Sequence, residues 1–253
     1  MNNVLFVLLL VFHTYSVFLD MREIKKYENV MITEMVRIKF YRECILYGWI
    51  PVGIILVFVA LTPLSMYDIG IRRINMSNMV WLNTISLGVF LVIAIVLSYQ
   101  TVKYLLSEEY RRQLAEQVKN SQQNHYEKTI DLLIPRSVKE KKYFFLVSLT
   151  AGICEEIVWR GAMLFLLKDI FPAMHIVGCV LIASAMFGLC HFYQGINGVI
   201  KTEIAGFFFM ILYLVTDSVL LCIILHFMFD VSSAFLLTEE YDDKREVQKW
   251  MGN

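Results

Sequence analysis

Apolar residues arrive in long runs separated by polar blocks, at residues 3–19, 45–61, 78–99, 143–167, 174–192, 196–215 and 218–237. A helix needs roughly 20 apolar residues to cross the hydrocarbon core of a bilayer. The pattern therefore predicts an all-α protein, a polytopic membrane helix bundle of about seven transmembrane helices. The first two runs are short, and the last three are joined by tight connections. The first run lacks a basic leading region and a small-x-small cleavage site, so it reads as a retained span and not a secretory signal.

Two long polar stretches divide the runs, residues 20–43 and 103–142. The first carries Arg22, Lys25, Lys26, Arg37, Lys39 and Arg42; the second carries Lys103, Arg111, Arg112, Lys119, Lys128, Arg136, Lys139, Lys141 and Lys142. With seven spans, both stretches share a side with a tail holding Lys244, Arg245 and Lys249, and the opposite connection has only Arg72 and Arg73. The positive-inside rule then places the N-terminus outside and the C-terminus in the cytoplasm. Residues 107–131 have helix-forming composition and are expected to form a solvated or interfacial helix that ends before Pro135. No internal repeat and no Pro/Gly/Ser-rich linker is visible.

Composition sharpens the class. Of 253 residues, 58% are hydrophobic and 18% charged, with a mean hydropathy of +0.59, a balance too apolar for an ordinary soluble domain. The expected surroundings are the lipid bilayer, as an integral membrane protein. The formal net charge is zero, which gives no footprint for nucleic acid. Cys44, Cys154, Cys179, Cys190 and Cys222 make no CxxC pair, and all but Cys44 lie in apolar runs. A disulfide framework and a zinc ribbon are both disfavoured.

Ionisable residues inside the last four runs carry the candidate chemistry. Each costs roughly 2.5–3.5 kcal/mol on insertion scales, and such residues usually face a bundle interior or a water-filled cavity. Glu155, Glu156 and Arg160 interrupt the fourth run, His191 ends the fifth, and His226 and Asp230 lie in the seventh. Together they amount to a burden of the order of 10 kcal/mol that something must offset. Glu156 and Arg160 are four apart, the acid N-terminal, in the favoured order for an ion pair on one face. Glu155, rotated by about 100°, is left without that partner. Phe187 and His191 share a face, as do His226 and Asp230. Three helices thus each project one polar cluster.

Each cluster alone has a structural reading. Glu156 with Arg160 serves as a staple, His191 as an interfacial residue, and His226 with Asp230 as a packing hydrogen bond. Asp217, beside a turn, reads as a cap or a solvated residue. His13 and His175 have no acidic neighbour and carry no candidate chemistry. No Ser sits in a Gly-x-Ser-x-Gly setting, and Ser184 has no evident triad.

Taken in order, Glu155-Glu156-Ile-Val-Trp-Arg160, Phe187-Gly-Leu-Cys-His191 and His226-Phe-Met-Phe-Asp230 read as EExxxR, FxxxH and HxxxD. This set resembles the CAAX prenyl protease and bacteriocin-processing (Abi) family of intramembrane glutamate proteases, which includes the Ras-converting endopeptidases. The resemblance covers residues 133–237, including IPRSVKE and AGICEEIVWRG. It implies a catalytic core over 133–238, preceded by accessory helices and cytoplasmic loops in 1–132 and followed by a cytoplasmic tail at 239–253. It also implies a metal- and cofactor-independent endopeptidase acting on a membrane-associated peptide or lipidated protein. Glu155 would be the general base and His191 its partner, with His226 and Asp230 at the oxyanion and Glu156 and Arg160 holding the helix in place. Asp230 stands where an Asn is common, and an ionised carboxylate cannot donate to an oxyanion. Asp230 is therefore expected to orient His226 by accepting from one of its nitrogens.

Compact length and short loops look more like bacterial relatives, so a bacterial cytoplasmic membrane is the expected location. The substrate would then be a bacteriocin or signalling-peptide precursor, with self-immunity or CAAX-type C-terminal processing as the alternatives. Other readings remain open at this level. Glu155, His191, His226 and Asp230 also compose a plausible metal-ligand set. A non-catalytic scaffold or immunity protein would keep the same motifs as a binding pocket. A proton-relay transporter would use similar residues, but no inverted repeat is evident.

Overall fold

The computed structural model describes residues 1–27, 30–74 and 132–233, together with scattered positions between 84 and 110. Most of the expected span 78–99, most of the expected helix 107–131 and the tail 239–253 lie outside the described residues. Those described within 78–99, such as 90–93, are helical, and no strand occurs among the described residues.

The described chain is all helix: α1 (Asn2–Tyr27), α2 (Glu34–Leu61), α3 (Val138–Glu155), a π-helical segment (Glu156–Met163), α4 (Leu164–Ile170), α5 (Ile176–Cys190) and α6 (Gly195–Thr216). A final helix, α7, spans Leu220–Ser233. Among the described residues, three helical stretches are long and apolar enough to cross a membrane: α1, α2, and Phe192–Thr216, in which a 3-10 turn leads into α6. α5 and α7 are apolar but shorter. The expected fourth span, 143–167, is broken in its middle by the π-helical segment that carries Glu156 and Arg160.

Local chemistry sets the helix ends. Thr33 caps α2 by accepting from the Val36 N–H. Ser137 and Glu140 form a reciprocal capping box at the start of α3: Ser137 Oγ accepts from the Glu140 N–H at 3.1 Å, and Glu140 Oε2 from the Ser137 N–H at 2.8 Å. His175 Nδ1 caps α5 by accepting from the Val177 N–H. Asp217 ends α6 in the left-handed region, φ 53°.

The expected polar stretch 20–43 is mostly helix. α1 continues to Tyr27 and α2 begins at Glu34, so Arg37 and Tyr41 belong to a packed helix. Arg37 and Glu140 are 3% and 1% exposed, and Arg37 Nη1 donates to Glu140 Oε1 at 2.8 Å, fastening α2 to α3. Burial pushes the Glu140 carboxyl upward. The Ser137 N–H, the Arg37 guanidinium and the Arg136 N–H outweigh it and hold the carboxyl below its usual range.

The connection after α2 folds back over the bundle. Arg72 donates to the carboxylate and the carbonyl oxygen of Asp217, Ser218 Oγ donates to Arg72 O at 2.6 Å, and the Val219 N–H bonds to Gly70 O at 3.0 Å. Gly161 makes the closest approach: a Cβ there would lie 2.2 Å from the Ile69 carbonyl oxygen. Glycine is required at that contact. Around the π-helical segment, α2, α5 and α6 pack closely, and Leu5 and Leu9 of α1 are fully buried in the same core.

Candidate active site

Every residue from Glu156 to Met163 is buried, which puts the charged part of the π-helical segment at the centre of the bundle. π-type turns are rare and concentrate at functional sites. Glu156 and Arg160 are both fully buried, with Arg160 Nη1 3.0 Å from Glu156 Oε1. Among the described residues, no nitrogen of Arg160 makes a hydrogen bond. The pair is thus held by charge at close range and not by a bidentate fork. Two aromatic rings lie against it instead: the guanidinium carbon lies 4.4 Å from the centre of the Phe187 ring and 4.9 Å from that of Phe209. Such contacts stabilise a desolvated cation by roughly 0.5–2 kcal/mol each.

α7 brings His226 against the two adjacent glutamates. Nδ1 lies 2.7 Å from Glu156 Oε1. Nε2 lies 3.8 Å from Glu155 Oε2 and 3.8 Å from Asp230 Oδ1. The 100° rotation between Glu155 and Glu156, which on sequence grounds separates their roles, lets them bracket one imidazole from its two sides. Glu156 is therefore more than the partner of Arg160, and Glu155 is not left alone.

Asp230 differs from expectation too. The nitrogen held in hydrogen-bonding contact is Nδ1, and Glu156 holds it; Asp230 stands beside the other nitrogen at 3.8 Å. The reason is tertiary. Asp230, four residues along the same helix, reaches past the ring, whereas Glu156 meets it from a facing helix.

His191 occupies a different position. Its Nδ1 lies 2.9 Å from the Phe187 carbonyl oxygen, one turn back on α5, and its ring packs on Phe187 and Tyr193. The carbonyl can only accept, so Nδ1 donates to it and Nε2 stays outside that bond. Among the described residues, no hydrogen bond or ion pair joins His191 to Glu155. Glu155, Glu156, Arg160, His226 and Asp230 thus form one contiguous cluster, which His191 adjoins through Phe187. Glu155 and Asp230 keep side-chain exposures of 30% and 27%, so this cluster has an open edge at those two carboxylates. Among the described residues, no group of three or more His, Cys, Asp or Glu side chains is placed to hold a metal ion.

Residues with no motif complete the surroundings. Phe209 of α6 stacks on His226, with ring centres 5.6 Å apart and planes 26° from parallel. Trp159 packs between His13 of α1 and Phe187. The run Phe207-Phe208-Phe209 offered no sign of which ring would turn inward, and His13 looked isolated because its neighbour lies far away in sequence.

Residues 139–232, from the first turn of α3 through α7, match the family described as Rce1-like, type II CAAX prenyl endopeptidase Rce1-like. No curated protein and no solved structure matches the chain.

Proposed function

Residues 139–232 belong to the Rce1-like family, a family of proteases, and from that premise we propose that the chain is an intramembrane endopeptidase. It cleaves a peptide bond in a membrane-associated peptide or lipidated protein, using a water activated by Glu155. The observation that carries this reading is the placing of Glu155, Glu156 and Asp230 around the His226 imidazole inside an apolar bundle. A purely structural staple needs Glu156 and Arg160 alone; it gives no reason to add two more carboxylates and a histidine.

Glu155 is the general base. Its Oε2 is buried and makes no hydrogen bond among the described residues, which suits that oxygen to take a proton from water. Proton transfer to a positioned carboxylate contributes typically 10²–10⁴-fold to rate. His191, whose Nε2 is not taken up by the Phe187 carbonyl, supports the same water. His226, fixed at Nδ1 by Glu156, turns Nε2 toward the space bounded by Glu155 and Asp230. In its charged form, balanced by Glu156, it donates there to the oxyanion that develops as water attacks. The Asp230 carboxylate stands beside Nε2 and sets the edge of that space. Arg160, 3.0 Å away, holds Glu156 in place.

The proposed substrates are peptides presented at the membrane, either a bacteriocin or signalling-peptide precursor or a CAAX-type C-terminus. The proposed orientation keeps the C-terminus in the cytoplasm. The test compares the membrane peptidome of cells carrying wild type and Glu155→Gln, alongside cleavage by purified protein of a quenched-fluorescent peptide ending in a farnesylated CAAX sequence. Uncleaved precursor should accumulate in the variant, with cleavage falling by about 10²–10⁴-fold. Wild-type cleavage by Glu155→Gln would remove the general base from the mechanism. A well-folded wild type that cleaves nothing would favour a binding or immunity role.

A further inference from the structure

α6 carries none of the three motifs, yet it supplies one face of the charged cluster. Gly206, Phe209, Met210 and Tyr213 recur at i, i+3, i+4 and i+7 and form its inward stripe. Phe208, one position before Phe209, is 58% exposed. A single step of about 100° around the helix thus separates a ring outside the core from a ring that touches the site.

The Phe209 ring contacts two members of the cluster at once. It stacks on the His226 imidazole at 5.6 Å, and it lies 4.9 Å from the Arg160 guanidinium. These are the two side chains that flank Glu156, one 2.7 Å and the other 3.0 Å from the same carboxylate oxygen. The second ring over Arg160 also depends on α6. A Cβ at Gly206 would stand 2.8 Å from Phe187 Cδ1, so the missing side chain gives Phe187 the room to lie 4.4 Å from the guanidinium. α6 therefore holds one aromatic ring in place and admits the other, around a cation that makes no hydrogen bond among the described residues.

We propose that Phe209 is a positioning residue of the protease site, fixing the plane of the His226 imidazole and, with Phe187, the seat of the Arg160 guanidinium. Its ring keeps Nδ1 on Glu156 and Nε2 toward Glu155 and Asp230. A hydrogen bond to Nδ1 fixes one atom of the imidazole but leaves its plane free to swing about that atom. A ring stacked on the face removes that freedom. This role rests on the endopeptidase reading given above.

The test uses the full chain in nanodiscs, labelled with ¹³C and ¹⁵N in histidine, with His226→Gln assigning one of the five histidines. Phe209→Leu and Phe209→Met replace the ring by side chains of similar bulk, and Phe209→Tyr keeps it. In the two ring-less variants the His226 ring C–H signals lose the ring-current displacement and move by more than those of the other histidines; in Phe209→Tyr they do not. With the farnesylated CAAX peptide, the ring-less variants lose roughly tenfold in kcat with KM changed less than about twofold, and Phe209→Tyr recovers most of the loss. An unmoved His226 signal in a folded ring-less variant overturns the proposal. So does an unchanged kcat while the wild type is active. A wild type inert toward the peptide counts against the CAAX-type substrate instead, and the His226 signal then decides by itself whether Phe209 sets the imidazole.

Discussion

Arg160→Met isolates what the buried cation does. Arg160 and Glu156 are both fully buried, 3.0 Å apart. Removing one partner of such a pair typically destabilises by about 3–5 kcal/mol, because the other charge stays desolvated with less compensation; here only the 2.7 Å contact with His226 Nδ1 remains to Glu156. The contacts to Phe187 and Phe209 are lost as well, but Met refills part of that apolar space. Arg160→Met should therefore lower stability by about 3–5 kcal/mol. Arg160→Lys keeps the charge and gives up the flat guanidinium against two rings, a loss of about 1–2 kcal/mol. Adding Glu156→Gln to Arg160→Met removes the orphaned charge and leaves an amide oxygen for His226 Nδ1–H. The double variant should then return to within about 2 kcal/mol of wild type, a large favourable coupling between neighbours. Reversible unfolding in mixed SDS and non-ionic detergent micelles, followed by tryptophan fluorescence, measures all four proteins; Trp159 lies next to the altered residue. Arg160→Met within about 1 kcal/mol of wild type, or a double variant no more stable than Arg160→Met, would refute the reasoning.

Two further outcomes follow from the geometry. Asp230 stands 3.8 Å from His226 Nε2, where an amide can donate to the oxyanion as well as accept. Asp230→Asn should retain or raise kcat in the peptide assay, whereas Asp230→Ala should lose about 10²-fold; equal loss in both would show that the negative charge itself is needed. At the start of α3, the Glu140 carboxyl is held below its usual range by its hydrogen bonds and Arg37 despite burial. Its contribution to stability is complete above the unfolded-state value of about 4.3 and is lost as pH falls through the lower folded value. Stability measured between pH 7 and pH 3 should drop less steeply in Glu140→Gln than in wild type, and identical slopes would contradict the buried Arg37–Glu140 link.

Much of the candidate site is legible before folding is considered, because acids and histidines in apolar runs are rare enough to stand out. The EExxxR spacing pairs Glu156 with Arg160 by helical geometry alone. The polar stretch 20–43 is less transparent. Its charges look like a solvated loop, yet Arg37 is buried because its partner, Glu140, lies 103 positions away, and local pattern carries no record of such a distance. The π-helical segment is hidden for a similar reason: Gly161 looks like any helix glycine until the Ile69 carbonyl is brought against it.

By itself the sequence determined the helical class, the membrane setting and the side chains able to do acid–base chemistry, since these follow from composition and from periodicities of a few residues. Only the tertiary structure decided how those groups are shared. It put Glu156, not Asp230, on His226 Nδ1, brought Glu155 to the other nitrogen, seated Arg160 against two rings and turned Phe209, not Phe208, toward the imidazole. Each of these depends on the angle and depth at which one helix meets another, and those are fixed by packing across the whole bundle.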